Sequence, residues 1–72
     1  MKNEFVDVIK KYAYVGAEIN EESVLHKELG ISSLGMFSMI SELEELYGVR
    51  FNIMDFISVK TVGQLYKKFE SK

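Results

Sequence analysis

Apolar residues recur at helical spacing in three separate stretches of this 72-residue chain. Phe5, Val8, Ile9 and Tyr12 mark one face of an amphipathic helix over roughly residues 3–15, with Gly16 as its stop. Residues 16–32 carry no long regular pattern; Ile19, Val24, Leu25 and Leu29 are spaced to pin this loop to a core, and Gly30 breaks the chain before the next helix. The second helix runs from about Ser33 to Tyr47 and ends at Gly48. On a wheel turning about 100° per residue, Met36, Met39, Ile40, Leu43, Leu46 and Tyr47 fall on one face. Ser38, Ser41, Glu42 and Glu45 fall on the opposite face. Leu34 and Phe37 belong to neither group and predict a small exposed apolar patch beside Ser33. After a short turn holding Phe51 and Ile53, Asn52 can cap a brief helix through Met54, Asp55, Phe56 and Ile57. The last helix starts at Thr61, where Gln64 completes a capping box. Val62, Leu65, Tyr66 and Phe69 give it an apolar stripe. Lys67, Lys68 and Lys72 lie in its last turn or beyond, where they favour the helix dipole. No alternating stretch is long enough to predict a strand. The expected architecture is all-α: one domain over residues 1–72, a small bundle of three main helices plus one short helix.

Composition narrows what such a bundle can do. A hydrophobic fraction of 47% supplies a core and is too high for a disordered segment. There is no cysteine, which removes disulfides, thiolate metal sites and thiol nucleophiles. Proline is also absent, in keeping with a helical chain. Nine basic and 11 acidic residues give a formal charge of −2, and no electrostatic reason to bind nucleic acid or an anionic membrane. No stretch is long and apolar enough to span a bilayer, and no signal-peptide core follows the N-terminus. The expectation is a free-standing cytoplasmic protein acting as a monomer.

Candidate chemistry is sparse. His26, the one histidine, lies in the loop before Ser33. It is a conceivable general base for that serine, but without a third orienting group it reads as an exposed loop residue. Glu42, Glu44 and Glu45 read as a solvated helix face before they read as metal ligands. No glycine pattern builds a phosphate loop. Met36, Met39 and the aromatics Phe5, Tyr12, Tyr47 and Phe69 are ordinary core material. A stand-alone enzyme is not expected. Ser33 is then the informative residue: a hydroxyl where a loop ends and a helix begins, either an end-cap or a handle for a covalent attachment. Ser32 is an equally good cap.

The run Leu29-Gly30-Ile31-Ser32-Ser33-Leu34 resembles the attachment motif of the acyl and peptidyl carrier protein family, which shows Leu-Gly, a variable residue, then Asp-Ser-Leu. The resemblance covers nearly the whole chain. The order of helices is the family's, Leu43-Glu44-Glu45-Leu46-Tyr47-Gly48 looks like its Leu-Glu-Glu-x-aromatic-Gly, and Lys60-Thr61-Val62 looks like the opening of its last helix. It implies that Ser33 receives 4′-phosphopantetheine from coenzyme A by a separate phosphopantetheinyl transferase. It further implies that the arm holds acyl or aminoacyl cargo as a thioester for acyl-activating, synthase or transferase enzymes of fatty acid, polyketide or specialised biosynthesis. Partner-binding positions carried over are Leu34, Phe37, Ser38, Glu44 and Glu45.

The chain departs from the family pattern at three acidic positions, which are Ser32, Gly35 and Ser38 here. Docking is therefore expected to be more apolar and less electrostatic, with a dedicated set of partners. Gly35 weakens the helix by about 1 kcal/mol relative to alanine and leaves room for close approach of a partner or the arm. A fatty cargo folding back between the helices would meet Met36, Met39, Ile40 and Phe56, although a filled core accounts for the same residues. The alternative function is an unmodified, carrier-like helical interaction domain. A nucleic-acid binder would need a basic face, and Lys10, Lys11, Lys67 and Lys68 form separated pairs only.

Overall fold

The computed structural model describes all residues 1–72 and contains four helices, α1 (Asn3–Tyr12), α2 (Ser33–Tyr47), α3 (Ile53–Ser58) and α4 (Val62–Glu70). There is no strand, only an isolated antiparallel bridge between Val24 and Thr61. The all-α expectation of three main helices and a short one holds.

Local signals set most of the helix ends. Ser32 caps α2, its hydroxyl accepting from the Gly35 amide at 3.0 Å, and Gly48 closes the helix in the left-handed conformation at φ 67°. Asn52 with Asp55, and Thr61 with Gln64, form complete capping boxes at α3 and α4. The exception is α1, which stops at Tyr12 rather than near residue 15. Ala13 is extended, and the Tyr14 amide donates to the Leu29 carbonyl at 3.0 Å, so a bond from the long loop pulls the chain out of the helix. Gly16 sits beyond that point in a turn, at φ 85°.

The core is one cluster drawn from every segment except the turn of α3: Phe5 and Ile9 of α1, Leu25, Leu29 and Ile31 of the loop, Met39 and Leu43 of α2, Leu65 and Phe69 of α4. α1 packs on α2, and Lys11 pairs with Glu42 at 3.2 Å across them. Leu46, expected inside, is 48% exposed. Tyr47 takes the inward place at that end of α2, its ring centroid 5.3 Å from that of Phe69. Its hydroxyl has no hydrogen-bond partner; burial first, then the Glu70 carboxylate, push its pKa up to about 12.

The long loop is fastened to the head of α4 by backbone bonds. Leu25 N–H donates to Lys60 O at 3.0 Å, Val62 N–H to Ser23 O at 3.0 Å and Gly63 N–H to Glu21 O at 2.9 Å. The last needs a glycine: a Cβ at Gly63 would lie 3.0 Å from the Glu21 carbonyl oxygen. At the other end, α3 is tied to the chain's last residues. Lys72, expected at the α4 dipole, instead reaches Asp55 at 2.7 Å, and Lys68 reaches the same carboxylate at 3.4 Å. Lys72 first, then the Asn52 amide, hold the Asp55 carboxyl down at about 2.

Candidate functional site

Ser33 is the first residue of a 15-residue helix and is exposed. Because Ser32 supplies the cap, the Ser33 hydroxyl is left without any hydrogen bond inside the fold. The amides of Ser33 and Leu34 likewise donate to nothing in the protein, as expected of a helix's opening turn. No acid lies in that turn. A nucleophilic oxygen is thus presented on a rigid element, beside two free N–H donors at the positive end of the helix dipole. That environment accommodates a phosphate.

A groove of about 380 Å³ opens beside this serine. Met36 of α2 and Phe56 and Ile57 of α3 give it apolar walls, and the Val24–Thr61 bridge region contributes Leu25, Val59 and two polar side chains, His26 and Lys60. Phe37 stacks on Phe56 with ring centroids 4.7 Å apart and an interplanar angle of 11°. Beyond the stack lies a second groove of about 330 Å³, lined in part by Phe37, Ile40 and Phe56. Of the residues weighed as a cargo lining, Met39 is fully buried and Ile40 nearly so, which makes them core; Met36 and Phe56 border the groove at the serine.

The expected partner residues do not all share one situation. Leu34 is 81% and Phe37 61% exposed, and the stack on Phe56 joins that patch to α3. Ser38 and Glu45 are exposed on α2, and Glu45 has no ion-pair partner in the fold. Glu44 is half-buried, and one of its carboxylate oxygens accepts from the Phe51 amide at 2.7 Å, clamping the α2–α3 turn. Its first role is therefore structural. Gly35 does not leave an open notch on the surface. A Cβ there would lie 3.2 Å from both the Ile31 side chain and the Ser32 hydroxyl, so the missing side chain makes room for the loop and the cap. His26 bonds through Nδ1 to the Ile31 carbonyl at 2.8 Å, not to Ser33, so no serine–histidine dyad exists.

Sequence reasoning missed the outer surface of α3. Ile53, Met54 and Ile57 are all more than half exposed and extend the apolar patch of Leu34 and Phe37. The signal was present: a helix of six residues with four apolar side chains can turn only some of them inward.

A helical bundle with an unbonded serine at a helix head, a neighbouring groove and no acid–base pair is built to carry a group rather than to transform one. The sequence profile described as the phosphopantetheine attachment site matches residues 3–69, and the chain belongs to that family of non-catalytic carriers, whose prosthetic group is 4′-phosphopantetheine. Among solved structures, a protein from Mycobacterium tuberculosis provisionally named an acyl carrier protein is similar over 94% of this chain and 92% of its own, at 28% identity and a TM-score of 0.87. No curated protein matches. The chain is a phosphopantetheine-binding carrier of the acyl carrier type. No helix is long and apolar enough to cross a membrane.

Proposed function

We propose that Ser33 is the attachment point of the phosphopantetheine arm, and that the chain holds acyl or aminoacyl intermediates for delivery to the enzymes of a cytoplasmic biosynthetic pathway. The observation that carries this reading is the division of labour between two adjacent serines: Ser32 is spent on the cap, Ser33 is unbonded and exposed. The bound arm would supply the thiol on which cargo is held as a thioester. The chain's own part is presentation. Helix α2 holds the hydroxyl rigidly, the amides of Ser33 and Leu34 favour the phosphodiester's charge, and the groove offers the arm an apolar bed. A tethered cargo also reaches a partner's active site at high effective concentration.

Partner enzymes, among them the phosphopantetheinyl transferase, then dock over Leu34 and Phe37 and the exposed side of α3. Ser38 and Glu45 lie at the polar edge of this surface, and Glu44 adds the carboxylate oxygen not bonded to Phe51. With the first turn of α2 free of acids, the recognition is mainly apolar. The test is intact mass spectrometry after incubation with coenzyme A, magnesium and a phosphopantetheinyl transferase. Wild type gains one phosphopantetheine group and Ser33→Ala gains none. Modification of Ser33→Ala overturns Ser33 as the attachment point, and a wild type inert to every transferase overturns the carrier reading and leaves an unmodified interaction domain.

A further inference from the structure

Phe56 stands between two grooves. It lines the groove of about 380 Å³ at Ser33 and also the second groove of about 330 Å³. Ser33 borders only the first, and Phe37 only the second. The Phe56 ring is held from several sides. Phe37, on the 15-residue α2, lies nearly parallel to it with centroids 4.7 Å apart. The Phe56 amide donates to Asn52 O at 3.1 Å. Asp55, the residue before it, is paired with Lys72 at 2.7 Å and Lys68 at 3.4 Å. Behind this wall the second groove is mostly apolar, with Ile40, Phe51 and Ile53 among its lining. Two of its polar neighbours are already used by the fold. Glu44 accepts from the Phe51 amide at 2.7 Å, and Asn52 Oδ1 accepts from the Asp55 amide at 2.8 Å. The second groove is therefore suited to hydrocarbon, yet the aromatic stack separates it from the serine.

We infer that the Phe37–Phe56 stack limits the length of acyl chain this carrier shelters. A chain on the protein's own arm lies in the first groove as far as the Phe56 ring, and carbons beyond that point are turned out into water. This inference rests on the reading of Ser33 as the attachment point. The occupant follows from the lining. Ser33 borders the first groove, so a group tethered there meets it at high effective concentration. Met36, Ile57 and Val59 make that groove a better host for hydrocarbon than for polar cargo. Each methylene taken out of water raises the sheltered-to-free ratio about fourfold. The chain's hold on the groove therefore grows with every carbon until the ring is reached, and stops growing there. Removing the ring joins the two grooves, and the gain then continues toward Ile40 and Ile53.

The test is a series of straight-chain acyl groups, from butanoyl to dodecanoyl, installed with the arm by a transferase acting on the acyl-coenzyme A. Intact mass with peptide mapping first establishes that the arm is on Ser33; an arm elsewhere or absent overturns the reading of Ser33 and the length limit with it. Shelter that exists only in the folded state raises the Tm, so thermal melts report how much of each chain is covered. In wild type the Tm climbs with chain length and then levels off. In Phe56→Ala the climb continues to longer chains, and Phe56→Leu levels off between the two. Each variant is compared with its own arm-bearing form without an acyl group, so a change in baseline stability cancels. If Phe56→Ala does not fold, Phe37→Ala gives the same comparison: it truncates a ring that is 61% exposed, removes the brace and moves the plateau to longer chains. A plateau at one chain length in wild type and variants alike overturns the stack as the limit. A wild-type Tm that climbs through dodecanoyl, or never changes with length, does the same; in each case the attachment at Ser33 stays intact.

Discussion

Replacing Ser32 and Ser33 separately should divide stability from modification. The Ser32 hydroxyl accepts from the Gly35 amide at 3.0 Å, so Ser32→Ala removes a helix cap. Loss of such a cap costs about 1 kcal/mol, within a range of roughly 0.5–2. In a domain of this size that lowers the Tm by about 4–8 °C. The Ser33 hydroxyl makes no bond, so Ser33→Ala removes nothing the fold uses, and alanine's helix preference returns at most about 0.5 kcal/mol. Thermal melts followed by circular dichroism should place Ser33→Ala at or slightly above wild type and Ser32→Ala clearly below both. Ser32→Asp should recover most of the loss, because aspartate caps as well as serine. Mass spectrometry of the same proteins should give the reverse order: Ser32→Ala and Ser32→Asp carry the arm, and Ser33→Ala does not. If Ser33→Ala melts lower and Ser32→Ala melts like wild type, the cap is at residue 33. A free Ser33 hydroxyl would then be refuted.

Gly63→Ala should destabilise even though it adds a helix former to α4. The gain of about 1 kcal/mol meets an overpacking cost of about 1–3 kcal/mol against the Glu21 backbone, and urea unfolding should show a lowered midpoint with an unchanged slope. Asp55 should govern part of the acid limit of stability. Its carboxyl is lowered from 3.8 to about 2, so its contribution is complete above the unfolded value near 3.8 and disappears as pH falls through about 2. The Tm difference between wild type and Asp55→Asn should accordingly be constant near neutrality, narrow below about pH 4 and close near pH 2. Leu34→Ala and Phe37→Ala should both weaken partner binding, measured by titration calorimetry with the transferase. Phe37→Ala should also lower stability, since losing the stack on Phe56 costs about 0.5–1.5 kcal/mol beyond area burial; Leu34→Ala should not.

The parts of this molecule legible in the sequence are those decided within a few residues. Capping is local, so Ser32, Asn52 and Thr61 announced the heads of α2, α3 and α4, and the left-handed Gly48 announced the end of α2. Ser33 was legible for the same reason, because its freedom follows from its neighbour's use. What eluded the sequence depends on distant partners. The end of α1 is set by a carbonyl at Leu29, the bridge joins Val24 to Thr61, and Lys72 finds Asp55 rather than the helix end. Glu44 looked like a surface acid because nothing local shows that its carboxylate reaches the Phe51 amide. Leu46 fitted the apolar wheel, but a wheel cannot show that Tyr47 already fills the available space against Phe69.

The fastening of the long loop to the head of α4 has a temporal consequence. Contacts between segments far apart in a chain form only after the later segment is available. A nascent chain that has produced α2 already contains Ser33, but the wall carrying His26 and Lys60 is unmade until Thr61, Val62 and Gly63 arrive to pair with the loop. The groove beside the serine is therefore a late product of folding, complete only in chains whose last helix is in place.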